Sequence, residues 1–518
     1  MGKPLSIEAE REPLTSVNGF LCSAATRSGR AATGRRWWAR LTIACDTARR
    51  VSARVEERAV PAGPADAATL GAMPLPPGPR EPSFVQLLQF TQRPLPWLDR
   101  CARRHGDPFT ARFAGLGTFV LIAAPELIKQ VFTGDPDVLH AGEANAIVEP
   151  VVGKSSVLLL DGAAHLRQRR LLLPPLRGER MFAYAQLMAE IAASAIDRMP
   201  LHRPFALHGF MQAITLDVVL RAVFGLEQGA RMDELRALLV TMLEPPPAIL
   251  AFLPVKYLDI PLSPYRRFLR NRDAVDRMLY GILRTRMASR EPPGTDILSL
   301  LLASRDEQGA AMTQDELRDE LMTMLVAGHE TTATALSWAF ACLLEHPEVG
   351  ARLTAELDGV RGPGGALDPE AVHTLDYLDA VVKETLRLRP ILPDVVRKTQ
   401  APVELGGYTI PAGVSLTPCI HLAHRRPDAY PEPARFRPER FLGARIDPYT
   451  WLPFGGGIRR CLGMAFALYE MKIVIAAMWS RLRLRLASPG PVRVVRRTII
   501  LAPVGGTRVV IDERRPAA

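Results

Sequence analysis

The longest uninterrupted pattern in the chain begins at Thr313-Gln314-Asp315-Glu316, a capping box with Thr313 as N-cap and Glu316 at N3. The sequence stays compatible with a helix to His346, where Pro347 stops it. Thirty-odd residues at 1.5 Å each make a rod of roughly 50 Å, enough to cross a whole domain. From Leu321 onward this helix is apolar nearly all round, which predicts burial. In its middle stand Ala327-Gly328-His329-Glu330-Thr331-Thr332. A glycine, an acid and hydroxyls are costly inside a buried helix, so stability alone does not account for them.

Around this rod the pattern predicts a mainly α body with small β-sheets, starting near residue 84. Phe109–Phe113 and Thr118–Ile122, joined through Gly115-Leu116-Gly117, read as a hairpin. A helix follows from Pro125 to Phe132, with proline at its first position. Leu139–Val157 has no clear period and reads as a loop with short helical pieces. Helical segments run through about 180–226 and 265–304. Between them, Met242–Pro261 is apolar and broken by Pro245-Pro246-Pro247, which suits a lid over an apolar pocket. Val395–Thr399, with turns at Gly406-Gly407 and Pro411-Ala412-Gly413, reads as a small sheet, and Arg497–Gly506 as a strand and turn. Residues 1–72 are rich in Ala, Arg, Ser and Gly and lack this periodicity, so they are expected to be a disordered extension preceding one domain over 73–518.

Composition narrows the class. The 48% apolar content is ample for a core. The six cysteines, at 22, 45, 101, 342, 419 and 461, form no CxxC pair, which argues against a zinc site or a disulfide framework and for a reducing, cytoplasmic setting. No uncharged apolar run of 18 residues stands near the N-terminus, so no membrane anchor is expected. The net charge of +11 is spread along the chain without a basic run interleaved with aromatics. That excludes nucleic-acid binding and leaves a basic patch for an acidic protein partner.

The strongest chemical signal is Phe454-Gly455-Gly456-Gly457-Ile458-Arg459-Arg460-Cys461-Leu462-Gly463, followed by an apolar helix expected over Leu462 to about Trp479. A helix N-terminus stabilises a thiolate, and Arg459 and Arg460 add positive charge. A thiolate so placed suits a nucleophile or a single protein ligand to iron; a small buried core cysteine is the plainer alternative.

The spacing Phe-x-x-Gly-x-Arg-x-Cys-x-Gly, carried by Phe454, Gly457, Arg459, Cys461 and Gly463, resembles the haem-binding loop of the cytochrome P-450 family. The resemblance implies that Cys461 is the proximal ligand of haem b (heme b, iron protoporphyrin IX), and that Phe454, Arg459 and Gly463 belong to the cofactor's cradle. Thiolate ligation pushes electron density towards iron and favours O–O cleavage. The Ala327–Thr332 stretch matches the family's Ala/Gly-Gly-x-Asp/Glu-Thr-Thr motif, where the helix opens a groove for O2. There Thr331 is implied to hydrogen-bond O2 and Glu330 to relay protons from solvent. His165 and Arg169, four apart on one helix face, match a propionate-binding pair, and Arg397 a further propionate contact. Glu384 and Arg387, with Arg440 in Pro438-Glu439-Arg440-Phe441, match the family's structural triad.

The resemblance covers about 73–518 and implies a single haem-thiolate domain built around the long helix. It further implies insertion of one O2 oxygen into an apolar small molecule, fatty acid or terpenoid in kind, with electrons from NAD(P)H through a ferredoxin and ferredoxin reductase or a flavodoxin-type donor. The partner is expected to dock on a positive proximal face carrying Arg167, Arg170, Arg177, Arg180 and Arg460. Two alternatives are a haem-thiolate peroxide isomerase or peroxygenase, which has no need of Glu330-Thr331, and a non-catalytic haem sensor.

Overall fold

The computed structural model describes residues 74–176, 184–226, 229–243, 264–289, 294–360 and 368–516. The expectations for 1–72, for the lid over Met242–Pro261 beyond Leu243, and for Arg177 and Arg180 lie outside these residues.

Helices α1 (Ser83–Gln92) and α2 (Pro94–His105) lead into the hairpin β1 (Phe109–Phe113) and β2 (Gly117–Ile122), then α3 (Pro125–Thr133). Gly115 and Gly117 take positive φ where the hairpin turns. After β3 (Leu139–His140) come α4 (Gly162–Leu172), α5 (Ala185–Arg198), β4 (Phe205–Ala206) and α6 (Leu207–Phe224). Further along are α7 (Ala230–Leu243) and α8 (Pro264–Ala288), and after a short helix over Ile297–Ala303 the central α9 (Gln314–Glu345). α10 (Pro347–Gly359) and α11 (Asp376–Leu388) precede β5 (Arg397–Thr399), β6 (Val403–Leu405), β7 (Tyr408–Ile410) and β8 (Ser415–Pro418). α12 (Met464–Arg481), β9 (Leu482–Leu486), β10 (Val494–Arg497), β11 (Ile500–Pro503) and β12 (Arg508–Arg514) complete the chain.

The central helix begins and ends where its caps dictate. The Glu316 N–H donates to Thr313 Oγ1 at 3.1 Å, and the Thr313 N–H to Glu316 Oε2 at 2.8 Å. From Leu321 to Leu343 it is buried on nearly every side, packed against α6, α11 and α12. Trp338 Nε1 ties it to the Leu501 carbonyl at 2.9 Å. α6 is long and apolar enough to cross a membrane, but two-thirds of it is buried inside the protein, as in a core helix.

Strands the periodicity located one by one join non-locally. The five-stranded sheet has the order β1-β2-β8-β5-β3, with β2 and β8 parallel and Val120 opposite Leu416. Arg397–Thr399 is therefore an inner strand of this sheet, while β6 and β7 form a separate hairpin about Gly406-Gly407. At the C-terminus the expected strand and turn are β11 and the turn at Val504–Gly506, and a further strand, β10, pairs with β11 antiparallel about Thr498-Ile499.

Candidate active site

The cysteine loop is shaped by what leans on it. A Cβ on Gly456 would lie 2.1 Å from the Phe132 ring, and one on Gly457 2.1 Å from the Phe132 carbonyl oxygen. Gly457 also has φ +63°. The glycines thus let α3 pack against the loop. The Cys461 N–H donates back to the Phe454 carbonyl at 3.0 Å, closing the loop under the cysteine. That bond holds Cys461 in the loop, so α12 starts at Met464 rather than Leu462. Among the described cysteines, Cys101, Cys342 and Cys419 are buried and Cys461 is exposed. Its thiol borders open space but is ringed by protein, and that burial raises its pKa. The Gly463 N–H, Arg169 and Arg460 pull it down without cancelling the burial. Burial thus outweighs the groups that favour the thiolate, and an iron ion held there would supply the charge that favours it.

Beside Cys461 the fold gathers cations. Arg459 donates to the Val157 carbonyl at 3.1 Å and pairs with Asp161. Asp161 also accepts the N–H groups of Ala141 and Gly142, each at 2.9 Å, fixing the loop before α4 to the cysteine loop. His165, on α4, is 1% exposed and its Nδ1 has no partner. Burial, then Arg459 and Arg169, push its pKa to about 4, so it stands neutral. Arg397 is almost fully buried, donates to the Val396 carbonyl and pairs with no carboxylate among the described residues. Burial, then Arg459, bring it down to about 10. His165, Arg169, Arg397 and Arg459 thus stand together near Cys461. The orphaned His165 Nδ1 and the uncompensated guanidinium of Arg397 fit a cofactor carrying two carboxylates, and Cys461 fits its iron.

On the central helix, Ala327 is exposed and Gly328, Glu330 and Thr331 are half-buried, in a stretch otherwise enclosed. The helix does not break at Gly328; the expected groove takes the form of this local access. Thr331 Oγ1 donates to the Ala327 carbonyl at 2.5 Å, one turn back. Glu330 turns to α6 instead: Gln212 Nε2 donates to its Oε2 at 2.7 Å, and His208 Nε2 lies 3.5 Å from its Oε1. Burial raises the Glu330 pKa, with the Gln212 hydrogen bond and the nearby Arg497 acting against it. Gln212, His208 and Asp161 escaped sequence reasoning. Asp161 was within reach, as the residue opening the His165 helix; the other two sit in an apolar helix with no local signal.

The triad forms with one change. Arg387 donates to both oxygens of Glu384, at 2.6 and 2.8 Å, and both residues are fully buried. Arg440 Nε donates to Glu384 Oε1 at 3.1 Å. Arg440 makes no hydrogen bond to Arg387, as expected of two cations; both lie near the Tyr430 ring instead.

A cysteine bordering open space, a cationic cradle and an acid and an alcohol on a central helix are the parts of a haem-thiolate oxygenase. The chain matches Cytochrome P450 over residues 75–506 and belongs to that family: it is a haem-dependent monooxygenase. Its relatives include cytochrome P450 135B1 of Mycobacterium tuberculosis, 41% identical over 86% of this chain and 93% of that one. Cytochrome P450 135A1 of the same species is 37% identical over 85% and 96%. Among solved structures, retinoic acid-bound cyanobacterial CYP120A1 superposes with a TM-score of 0.74 at 24% identity, covering 85% of this chain and all of that one. At that identity the likeness establishes the fold.

Proposed function

We propose that this enzyme inserts one atom of O2 into an apolar fatty acid or terpenoid-like substrate in the cytoplasm, using NAD(P)H electrons delivered by a separate ferredoxin or flavodoxin-type donor. The observation that carries the reading is the convergence of exposed Cys461 with His165, Arg169, Arg397 and Arg459. When bound, the haem would supply O2 activation, with Cys461 holding its iron and His165, Arg169, Arg397 and Arg459 holding its carboxylates. Thr331 offers a hydroxyl at the accessible turn of α9, and Glu330, from the same turn, a carboxyl turned towards α6 that carries protons to the site. The apolar side chains of Val326 and Ala327 border the same accessible turn and favour an apolar substrate. The test is a substrate-induced spin-state shift across a panel of fatty acids and terpenoids, followed by NAD(P)H-dependent O2 uptake with ferredoxin and its reductase. Turnover by peroxide alone, with no uptake, would favour the peroxygenase.

Thr331→Ala is expected to keep haem and substrate binding while diverting most electrons to peroxide, a roughly tenfold or larger loss of coupling in line with losing a positioned proton donor. Product per NAD(P)H against peroxide per NAD(P)H measures this. Coupling equal to that of the parent would remove Thr331 from the chemistry.

The docking face is narrower than the basic helix promised. Arg167 is held by Asp306 at 2.7 Å and Glu316 at 2.8 Å, and Arg170 by Glu307, so their charge is already answered. Exposed Arg460, next to Cys461, makes no ion pair among the described residues. Arg460→Glu is expected to slow reduction by an acidic ferredoxin several-fold at low salt, with the difference shrinking as salt rises. Stopped-flow reduction over a salt series reads this directly; a rate indifferent to both would place docking elsewhere.

A further inference from the structure

Glu330 projects from the accessible turn in the middle of the central helix, yet its carboxyl group does not meet Thr331, whose hydroxyl is bound back to the Ala327 carbonyl. It is held across the helix interface by α6. Gln212 Nε2 reaches Oε2 at 2.7 Å, and His208 Nε2 lies 3.5 Å from Oε1 and 3.3 Å from Thr334 Oγ1. His208 and Gln212 are four apart and so share one face of α6, as Glu330 and Thr334 share one face of α9. His208 is 3% exposed and Thr334 fully buried, so this contact is sheltered from bulk water on the α6 side.

We propose that Gln212 and His208 are positioning residues for Glu330: Gln212 holds one oxygen of its carboxyl group by a hydrogen bond and His208 stands beside the other, so that α6 decides where its proton-bearing oxygen points. The inference rests on the reading of Glu330 as a proton carrier. Its physical content lies in what the two partners can do. An amide donates through nitrogen to a carboxylate and, turned over, accepts through oxygen from a carboxylic acid. A neutral imidazole likewise presents either a donor or an acceptor at Nε2, according to tautomer. His208 is neutral near pH 7, its pKa brought to about 4 by burial and by Arg497. Both protonation states of Glu330 are therefore satisfied without rebuilding the site, as a group that repeatedly gains and loses a proton requires. An apolar pair at these positions would leave an ionised Glu330 short of donors in a partly buried place. The charged and titratable groups around Glu330 are His208 on α6 and Arg497 on β10, with His329 of α9 acting on His208.

The test is made on the ferric holoenzyme, with haem content and the reduced-CO spectrum confirming the fold of each variant. The carboxylic C=O infrared band of Glu330, assigned by its loss in Glu330→Gln, is titrated against pH. Removing the Gln212 donor in Gln212→Leu is expected to raise the midpoint by about one pH unit or more, because a hydrogen bond to the anion is lost. Gln212→Glu, which adds a like charge, raises it further and serves if the leucine variant loses haem. His208→Leu gives a smaller rise, and His208→Gln, which keeps an N–H donor, restores the parent value. The peroxide formed per NAD(P)H rises in step with the infrared midpoint. Midpoints in Gln212→Leu and Gln212→Glu indistinguishable from the parent would overturn the proposal. A shifted midpoint together with an unchanged peroxide fraction in Glu330→Gln would uphold the grip of α6 and remove the proton-carrying reading beneath it.

Discussion

Cys461→Ala is expected to abolish the red-shifted Soret band of the reduced CO complex and to bring monooxygenase turnover to background. Haem is expected to be retained in part, because His165, Arg169, Arg397 and Arg459 do not depend on the sulfur for their positions. Arg459 is anchored to Asp161 and the Val157 carbonyl, and Arg397 to the Val396 carbonyl just before β5. This separates ligation from folding: a cysteine that merely filled space would give a variant with its spectrum intact. Persistence of the band in the alanine variant would overturn the assignment of Cys461 as iron ligand. The buried cysteines provide the control. Burial pushes Cys342 to about 12 and Cys101 to about 11, so neither competes as a thiolate, and their serine variants should keep the band.

The second large effect lies away from the chemistry. Glu384 accepts four hydrogen bonds: two from Arg387, one from the Arg437 backbone and one from Arg440 Nε. Glu384→Ala removes the one carboxylate between two guanidiniums, in a place where neither can reach water easily. Breaking a buried ion pair from one side costs about 3–5 kcal/mol. Against a total stability of roughly 5–15 kcal/mol, that is enough to deplete the folded holoenzyme. The denaturation midpoint and haem recovered per chain are the measurements. A loss under about 1 kcal/mol, the scale of an exposed pair, would show that the triad is solvated rather than enclosed. Replacing Glu384 and Arg387 together by leucine and methionine should recover part of the loss, because it removes a charge of each sign.

What the sequence disclosed and what it withheld divide along the reach of the interactions. The ends of α9 were legible because the capping box is closed by Thr313 and Glu316 themselves. The cysteine loop was legible because its shape is local, held by glycines and a bond from Cys461 to Phe454. The pairing of β2 with β8 was not, since it joins residues near 120 to residues near 416. Arg167 and Arg170 read as a free basic face because the acids that answer them, Asp306, Glu307 and Glu316, lie well over a hundred residues downstream. For the same reason Glu330 was recognised while its hydrogen bond from Gln212 and the approach of His208 were missed. An amide and an imidazole in an apolar helix announce nothing until the neighbouring helix is known.

Three consecutive glycines look interchangeable in the sequence, yet 456 and 457 face different parts of Phe132, and this governs how the loop can drift over evolutionary time. At 456 the obstacle is the Phe132 ring, so alanine there becomes tolerable in a lineage that first trims residue 132 to something small. At 457 the obstacle is the Phe132 backbone carbonyl together with a left-handed φ, and no exchange at 132 relieves either. Homologues should therefore show covariation between positions 132 and 456, with 457 standing apart as glycine whatever its neighbour on α3 becomes.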